Sequence, residues 1–166
     1  GNMRGEEIEL MGMLTQAGGQ KNDEAWAVFL PGSHTHVAYI KNNEIADIFS
    51  MIAGELWGAV ATDTILSGAV KDVKDGVNPA MLKSGYEALK NYGFNRALYI
   101  ARGHDIFKTA SNIEIKSFME GVVNGGIVDG FLYCLKNKWK DVSKAIVLGR
   151  EESYKVFNVL WEVADC

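Results

Sequence analysis

The chain is short of several things that would announce a function. It has 166 residues but only two cysteines, Cys134 and Cys166, so no disulfide framework and no thiolate metal site can be built within it. Cys134 stands in the apolar run Gly130-Phe131-Leu132-Tyr133 and reads as a buried thiol, which suits a reducing cytoplasm. The three histidines, His34, His36 and His104, have no partners at metal-ligand spacing. No apolar run approaches membrane-spanning length, and nothing near the N-terminus reads as a signal peptide. Basic charge is not in excess. A net charge of −4 gives no electrostatic reason to expect nucleic acid or an anionic membrane as partner. Prolines are confined to positions 31 and 79, internal repeats are absent, and the full G-x-G-x-x-G dinucleotide pattern does not occur.

What is present is apolar residues at 48% and charged residues at 23%, enough for a packed core and too apolar for disorder. The length fits one domain, or half of a two-lobed protein. Both ends predict a trimmed or partial chain: Gly1 before Asn2 and Met3 reads as a residue left by tag cleavage, and the sequence stops directly after a helical segment.

Hydrophobic spacing orders the elements. Glu6 to Leu14 is helical, with Ile8, Leu10, Met11 and Leu14 on its apolar side and acids in its first turn. Gln16 to Asp23 is a loop by composition. Three strands follow, Ala25 to Leu30, Val37 to Lys41 and Ile45 to Ser50, joined by tight turns into an antiparallel meander. Ile52 to Ala61 reads as a helix and Val70 to Val77 as a polar connector. Met81 to Asn91 (with Pro79 near its first turn), Asn95 to Arg102 and Glu114 to Leu135 are helical in period. The last of these carries Gly121, Gly125, Gly126 and Gly130, which imply close backbone packing, a ligand edge or a break. Lys144 to Leu148 reads as a buried strand added after a crossover, and Glu151 to Val163 as the final helix. The expected class is α/β or α+β. Tyr86, Phe94, Phe118, Phe131, Phe157 and Trp161 fall at helical spacing, as core residues do.

Five short constellations could carry chemistry, and each has a plainer explanation. Pro31-Gly32-Ser33-His34-Thr35 could converge backbone N–H groups and two hydroxyls on a phosphate. A plain turn with proline at i+1 and glycine at i+2, as in type II, explains that motif better by itself. Arg4-Gly5-Glu6-Glu7 could pair a substrate carboxylate with Arg4 and place a proton acceptor at a helix start. Acids matched to a helix dipole are the plainer account. Gly54-Glu55 could approach a ligand, or simply open a helix after a strand. Ile146 to Arg150, a strand ending in Gly149 before a helix, resembles places where α/β folds hold nucleotides, but weakly. Arg102 near a helix end is usually a cap or surface group.

The order of the blocks is more specific than any one of them. MRGEE, an apolar helix, LPGSH closing a strand and AGEL opening a helix come first; ALYIARG, EGVVNGGIVDG and IVLG before a helix follow. Over nearly the whole chain this resembles the 2-dehydro-3-deoxygalactonokinase family. The resemblance implies an actin-like (ribonuclease H-like) ATPase lobe, and a two-lobed kinase. That kinase would use ATP and Mg²⁺ to phosphorylate the 6-hydroxyl of 2-dehydro-3-deoxy-D-galactonate. By the same resemblance Gly32, Ser33 and His34 form the second phosphate loop and Gly149 sits in the adenosine region. Arg4, Gly5 and Glu6 lie at the lobe junction, and Glu55 and Arg102 are substrate-binding candidates. Other actin-like carbohydrate kinases carry Gly-Asp at a helix start before this loop, with the aspartate as base. Gly5-Glu6 matches that place, so Glu6 is the expected base and Glu7 its support or a Mg²⁺ organiser.

The departures matter as well. The family is roughly twice as long, in keeping with two lobes. Its opening Asp-x-Gly-Ser/Thr phosphate loop has no counterpart here, since Asp75-Gly76 and Asp129-Gly130 do not fit it. The chain stops before the family's last strand and helix, and Arg150 replaces a small residue after the adenosine glycine. The expectation is therefore residues 1–166 as a C-terminal lobe short at both ends, whose partner is the missing N-terminal lobe and which has little activity alone. A homodimer through the surface a missing lobe would cover stays open. The alternatives are a non-enzymatic module binding a sugar acid or nucleotide, half of a kinase completed by a separate chain, and a remnant with a structural role.

Overall fold

The computed structural model describes residues 5–16, 18–21 and 24–165, with only the backbone of Glu6 and Glu7. Helix α1 (Glu6–Gln16) precedes the strands β1 (Ala25–Leu30), β2 (Thr35–Lys41) and β3 (Glu44–Met51). Helices α2 (Ala53–Asp63), α3 (Ser67–Val70), α4 (Pro79–Tyr92), α5 (Phe94–Ile106) and α6 (Asn112–Asn137) follow, then β4 (Val142–Val147) and α7 (Glu151–Ala164). The sheet runs β3-β2-β1-β4. Its first three strands are the expected antiparallel meander, and β4 joins β1 in parallel after the helical crossover.

Local chemistry sets several boundaries. Asn42 and Asn43 both take positive φ (54° and 62°), which the two-residue turn between β2 and β3 needs and asparagine tolerates. Asn78 caps α4 by accepting a hydrogen bond from the Met81 N–H at 3.0 Å, and Pro79 follows where its missing N–H costs nothing. Helix α6 opens with the Glu114 carboxylate accepting from the Ser111 N–H at 2.8 Å.

Every residue of β1 is buried, because helices cover both faces of the sheet. Alternation splits its side chains between two cores. Trp26, Val28 and Leu30 pack with Leu10 and Leu14 of α1. Ala27 and Phe29 face Ile127 and Phe131 of α6 and Phe157 and Leu160 of α7. A second helical layer, centred on Phe118, Met119 and Ala97, extends behind α6. The aromatic residues read as core are core: Tyr86, Phe118, Phe131 and Phe157 are buried, and Phe94 and Trp161 pack against them. Cys134 is a buried free thiol, its pKa raised by that burial.

One expectation changes, and one left open is narrowed. The strand read at Lys144 to Leu148 as buried runs from Val142 to Val147, with Ser143, Lys144 and Ala145 exposed. Among the described residues it pairs with β1 alone and forms the sheet edge, so an apolar run that suited an interior strand lies half open. The glycines of α6 do not break it. A Cβ on Gly121 would lie 2.0 Å from the Leu82 carbonyl oxygen, and one on Gly85 of α4 would lie 1.9 Å from that of Phe118. The two helices touch backbone to backbone there, so close packing is the reading the geometry supports at Gly121, whereas a Cβ on Gly126 would meet nothing within 4 Å.

Candidate functional site

The turn from Pro31 to His34 is more than a hairpin loop. Helix α2 has no side-chain cap, which leaves its first N–H groups in need of acceptors. The Ser33 carbonyl supplies one, accepting from the Glu55 N–H at 2.9 Å. A Cβ on Gly54 would stand 2.0 Å from the Gly32 carbonyl oxygen, so only glycine lets the helix start approach the loop this closely. His34 Nε2 and Glu55 Oε1 meet at 3.0 Å across the same junction, both half-exposed. Gly32 does not take positive φ, so the type II arrangement expected of a plain turn is not formed. The loop is instead fixed to α2 by the Ser33 carbonyl. Thr35, expected to add a hydroxyl, is buried at the start of β2 and does not line the cleft.

A cleft of about 680 Å³ opens beside this loop. Pro31, Gly32 and Ser33 form one side, with Gly54 and Trp57 of α2. Gly149 and Arg150 enter from the turn between β4 and α7, which the Leu148 N–H ties to the Phe29 carbonyl at 2.8 Å. The sheet therefore delivers two glycine-containing turns, far apart in sequence, to one opening. Glu9 of α1 borders the same loop. A Cβ on Gly149 would make only ordinary contacts, 3.4 Å to Pro31 Cδ at the nearest. Packing inside the chain does not demand glycine there.

The floor of the cleft is polar and was not singled out from the sequence. Lys116 and Glu120 of α6 are buried, and Glu152 of α7 reaches them. The Lys116 ammonium lies 2.6 Å from Glu152 Oε1 and 3.4 Å from Glu120 Oε1. Glu152 also accepts the Gly76 N–H at 3.3 Å. Burial would lift the Glu152 carboxyl, but the hydrogen bonds from Lys116 and Gly76 outweigh it and hold it low. Burial wins at Glu120, whose carboxyl is pushed up to about 7 against the opposing pull of Lys116. Its Oε2 is buried with no hydrogen-bond partner among the described residues. The available signal was a charged pair at i, i+4 among the apolar residues Ile115, Phe118, Met119, Val122 and Val123 of a glycine-rich helix. Arg150, a departure from the family pattern in sequence, stands as a cation at the cleft.

The other candidates distribute unevenly. Gly32, Ser33 and Gly149 line the cleft, and His34 and Glu55 sit at the loop's junction with α2. Arg102 does not line it, and its guanidinium is bound by Asp105 one turn further along α5. Arg4 and the side chains of Glu6 and Glu7 lie outside the described residues. His36 Nδ1 pairs with Ser50 Oγ at 2.7 Å and His104 Nδ1 with Thr109 Oγ1 at 2.8 Å. Among the described residues, no group of three or more His, Cys, Asp and Glu side chains could hold a metal ion. No described helix is long and apolar enough to cross a membrane.

Against known proteins, the sequence profile of 2-keto-3-deoxy-galactonokinase matches residues 2–162. The chain belongs to the 2-keto-3-deoxy-galactonokinase family. Its fold is similar to that of a Sinorhizobium meliloti protein whose assignment as a 2-dehydro-3-deoxygalactonokinase is itself provisional. The TM-score is 0.79 and the identity 19%, over 98% of this chain and 52% of that one. At that identity the likeness speaks for the fold. The chain spans about half the length of this neighbour. No curated protein matches the sequence.

Proposed function

We propose that this chain is the C-terminal lobe of a two-lobed, actin-like sugar-acid kinase. The complete protein would transfer the γ-phosphoryl of ATP to the 6-hydroxyl of 2-dehydro-3-deoxy-D-galactonate. The observation that carries this is the convergence of the Pro31–Ser33 loop and the Gly149 turn on one cleft, in a chain of this family. Gly32 and Ser33 would hold phosphate through backbone N–H groups on a loop fixed to α2 by the Ser33 carbonyl. Gly149, where packing asks for no particular residue, would admit the adenosine at close range. Arg150 would add positive charge.

Mg²⁺ in phosphoryl transfer is commonly held by one or two carboxylates and the nucleotide's own phosphates. Among the described residues, Glu9 borders the loop and could supply such a carboxylate. Bound there, the ion would neutralise phosphate charge. Glu6, three residues before Glu9 on α1, is the base in this reading, with Glu7 beside it. Arg4 and Glu55 would contact the sugar acid. Arg102, bound to Asp105 away from the cleft lining, has the least support among the proposed substrate contacts.

Phosphoryl transfer needs both phosphate loops and the acceptor held in line, so one lobe supplies part of the constellation. The test is ADP formation with the sugar acid, using the natural gene product at its full length and this chain beside it. Sugar-acid-dependent turnover by the natural product, roughly 100-fold or more above this chain and lost in Glu6→Gln, is the expected result. A natural product that binds the sugar acid without turning over ATP would replace the kinase reading with a binding module.

A further inference from the structure

We propose that Glu120 and Asn124 form a hydroxyl-binding subsite in the cleft that takes a vicinal diol. The proposal rests on the cleft being a nucleotide and sugar-acid site. Both of those ligands carry vicinal hydroxyls, one on the ribose and one on the sugar chain.

Glu120 is 9% exposed and still lines the cleft. A carboxylate at such a place is costly unless its oxygens are hydrogen-bonded. The chain itself meets only part of that need. Lys116, the close cation among the described residues, sits nearer to Glu152, at 2.6 Å against 3.4 Å. Oε2 receives nothing from the described residues. The rest of this stretch of α6, from Ile115 to Val123, is buried, so an acid at position 120 is out of keeping with its apolar neighbours Met119, Val122 and Val123. A missing donor is the simplest account of a half-satisfied buried acid that borders an open cleft.

The surroundings select the donor. Glu152 on α7 and Asp75 on the connector before α4 both bear on Glu120, so a second anion would be repelled. A cation already occupies the position between the acids, in Lys116. A neutral hydroxyl remains. Asn124 lies one helical turn from Glu120, on the same side of α6, and lines the cleft too. Carboxylate and amide together offer acceptors for two hydroxyl protons and a donor for a hydroxyl oxygen, the complement of a diol. The terminal torsion of a glutamate is broad, so either carboxylate oxygen can turn toward the ligand.

The experiment is an NMR shift titration of the 166-residue chain, which reads even weak binding, in wild type, Glu120→Ala and Asn124→Ala. The probes are ADP, 2′,3′-dideoxy-ADP, pyrophosphate and 2-dehydro-3-deoxygalactonate. Each variant should weaken the diol ligand by about tenfold or more and leave pyrophosphate unchanged. If the ribose is the diol, dideoxy-ADP binds wild type about as weakly as ADP binds Glu120→Ala. If the sugar acid is the diol, the two nucleotides bind wild type alike and only the sugar acid is weakened. In either case the ratio of wild-type to Glu120→Ala affinity, in which the ligand's own ionisation cancels, should rise from pH 6 to pH 8 as Glu120 ionises against Lys116, Glu152 and Asp75. Unchanged affinities in both variants would overturn the subsite and leave the cleft assignment standing. An equal loss of pyrophosphate binding would overturn it as well, since the variants would then disturb the whole cleft. A wild-type chain that binds none of the four probes would remove the subsite together with the nucleotide and sugar-acid reading of the cleft in this chain.

Discussion

Gly121 and Glu120 are neighbours on α6, both are buried, and they do opposite things. Gly121 gives up its side chain so that the Leu82 carbonyl of α4 can approach to where a Cβ would stand. Glu120 carries a charge into the same buried stretch and leaves one oxygen unanswered. On the first side the chain completes its own packing. On the second it ends at a cleft with a polar group that its own described atoms do not satisfy. The same degree of burial thus means fold on one side of the helix and points to ligand on the other.

The largest effect should come from breaking the packed side. Alanine is the better helix former by about 1 kcal/mol. At Gly121, however, its Cβ would stand 2.0 Å from a backbone oxygen that cannot rotate away. Overpacking of this severity costs about 3 kcal/mol or more, so Gly121→Ala should lose stability despite its propensity. A denaturant midpoint equal to or above wild type would mean α4 and α6 are not in backbone contact.

The polar side should show itself through pH. Burial raises the Glu120 carboxyl from its ordinary 4.5 to about 7. Between those values the folded chain holds a proton that the unfolded chain has released. Stability contributed by this group therefore falls as pH rises through that window, and the loss is complete above about 7. The decline should reach at most about 3 kcal/mol. Thermal midpoints measured from pH 5 to pH 8 should fall in wild type and run flatter in Glu120→Gln. Parallel profiles would place the titrating group elsewhere. A saturating diol ligand should narrow the difference at high pH, because it supplies the donor the ionised acid lacks.

The smallest effect belongs to a pair that looks strong. The Lys41 ammonium touches Asp141, and the Tyr39 hydroxyl donates to the same carboxylate at 2.8 Å. That site is about two-fifths exposed, so water and salt compete for both charges. Lys41→Ala should change stability by less than about 1 kcal/mol. A larger loss in a chemical melt would show that the end of β2 is stiffer than its exposure implies.

How much was legible in advance follows the range of the interactions involved. The meander could be read because alternation, the Asn42-Asn43 turn and the helix boundaries at Asn78-Pro79 are local chemistry. So could the loop at Gly32 and Ser33 and the Gly149 turn, since glycine placed at strand ends is a local mark. The exposure of β4 could not, because Ala145 and Ile146 read alike whether a strand lies inside a sheet or at its edge. Arg102 is a second case: the residue type was visible, but its engagement with Asp105 was a matter of rotamers and packing.

By itself, then, the sequence determined the order of elements, the turns and the family blocks, all of which depend on residues within a few positions of each other. Tertiary structure alone decided that Ser33 would cap α2 and that Lys116 and Glu120 would meet Glu152 from another helix. It also made a carboxylate of ordinary type into one that titrates near neutrality. The physical reason is that burial and electrostatic environment are properties of all the elements packed around a group, and no window along the chain contains them.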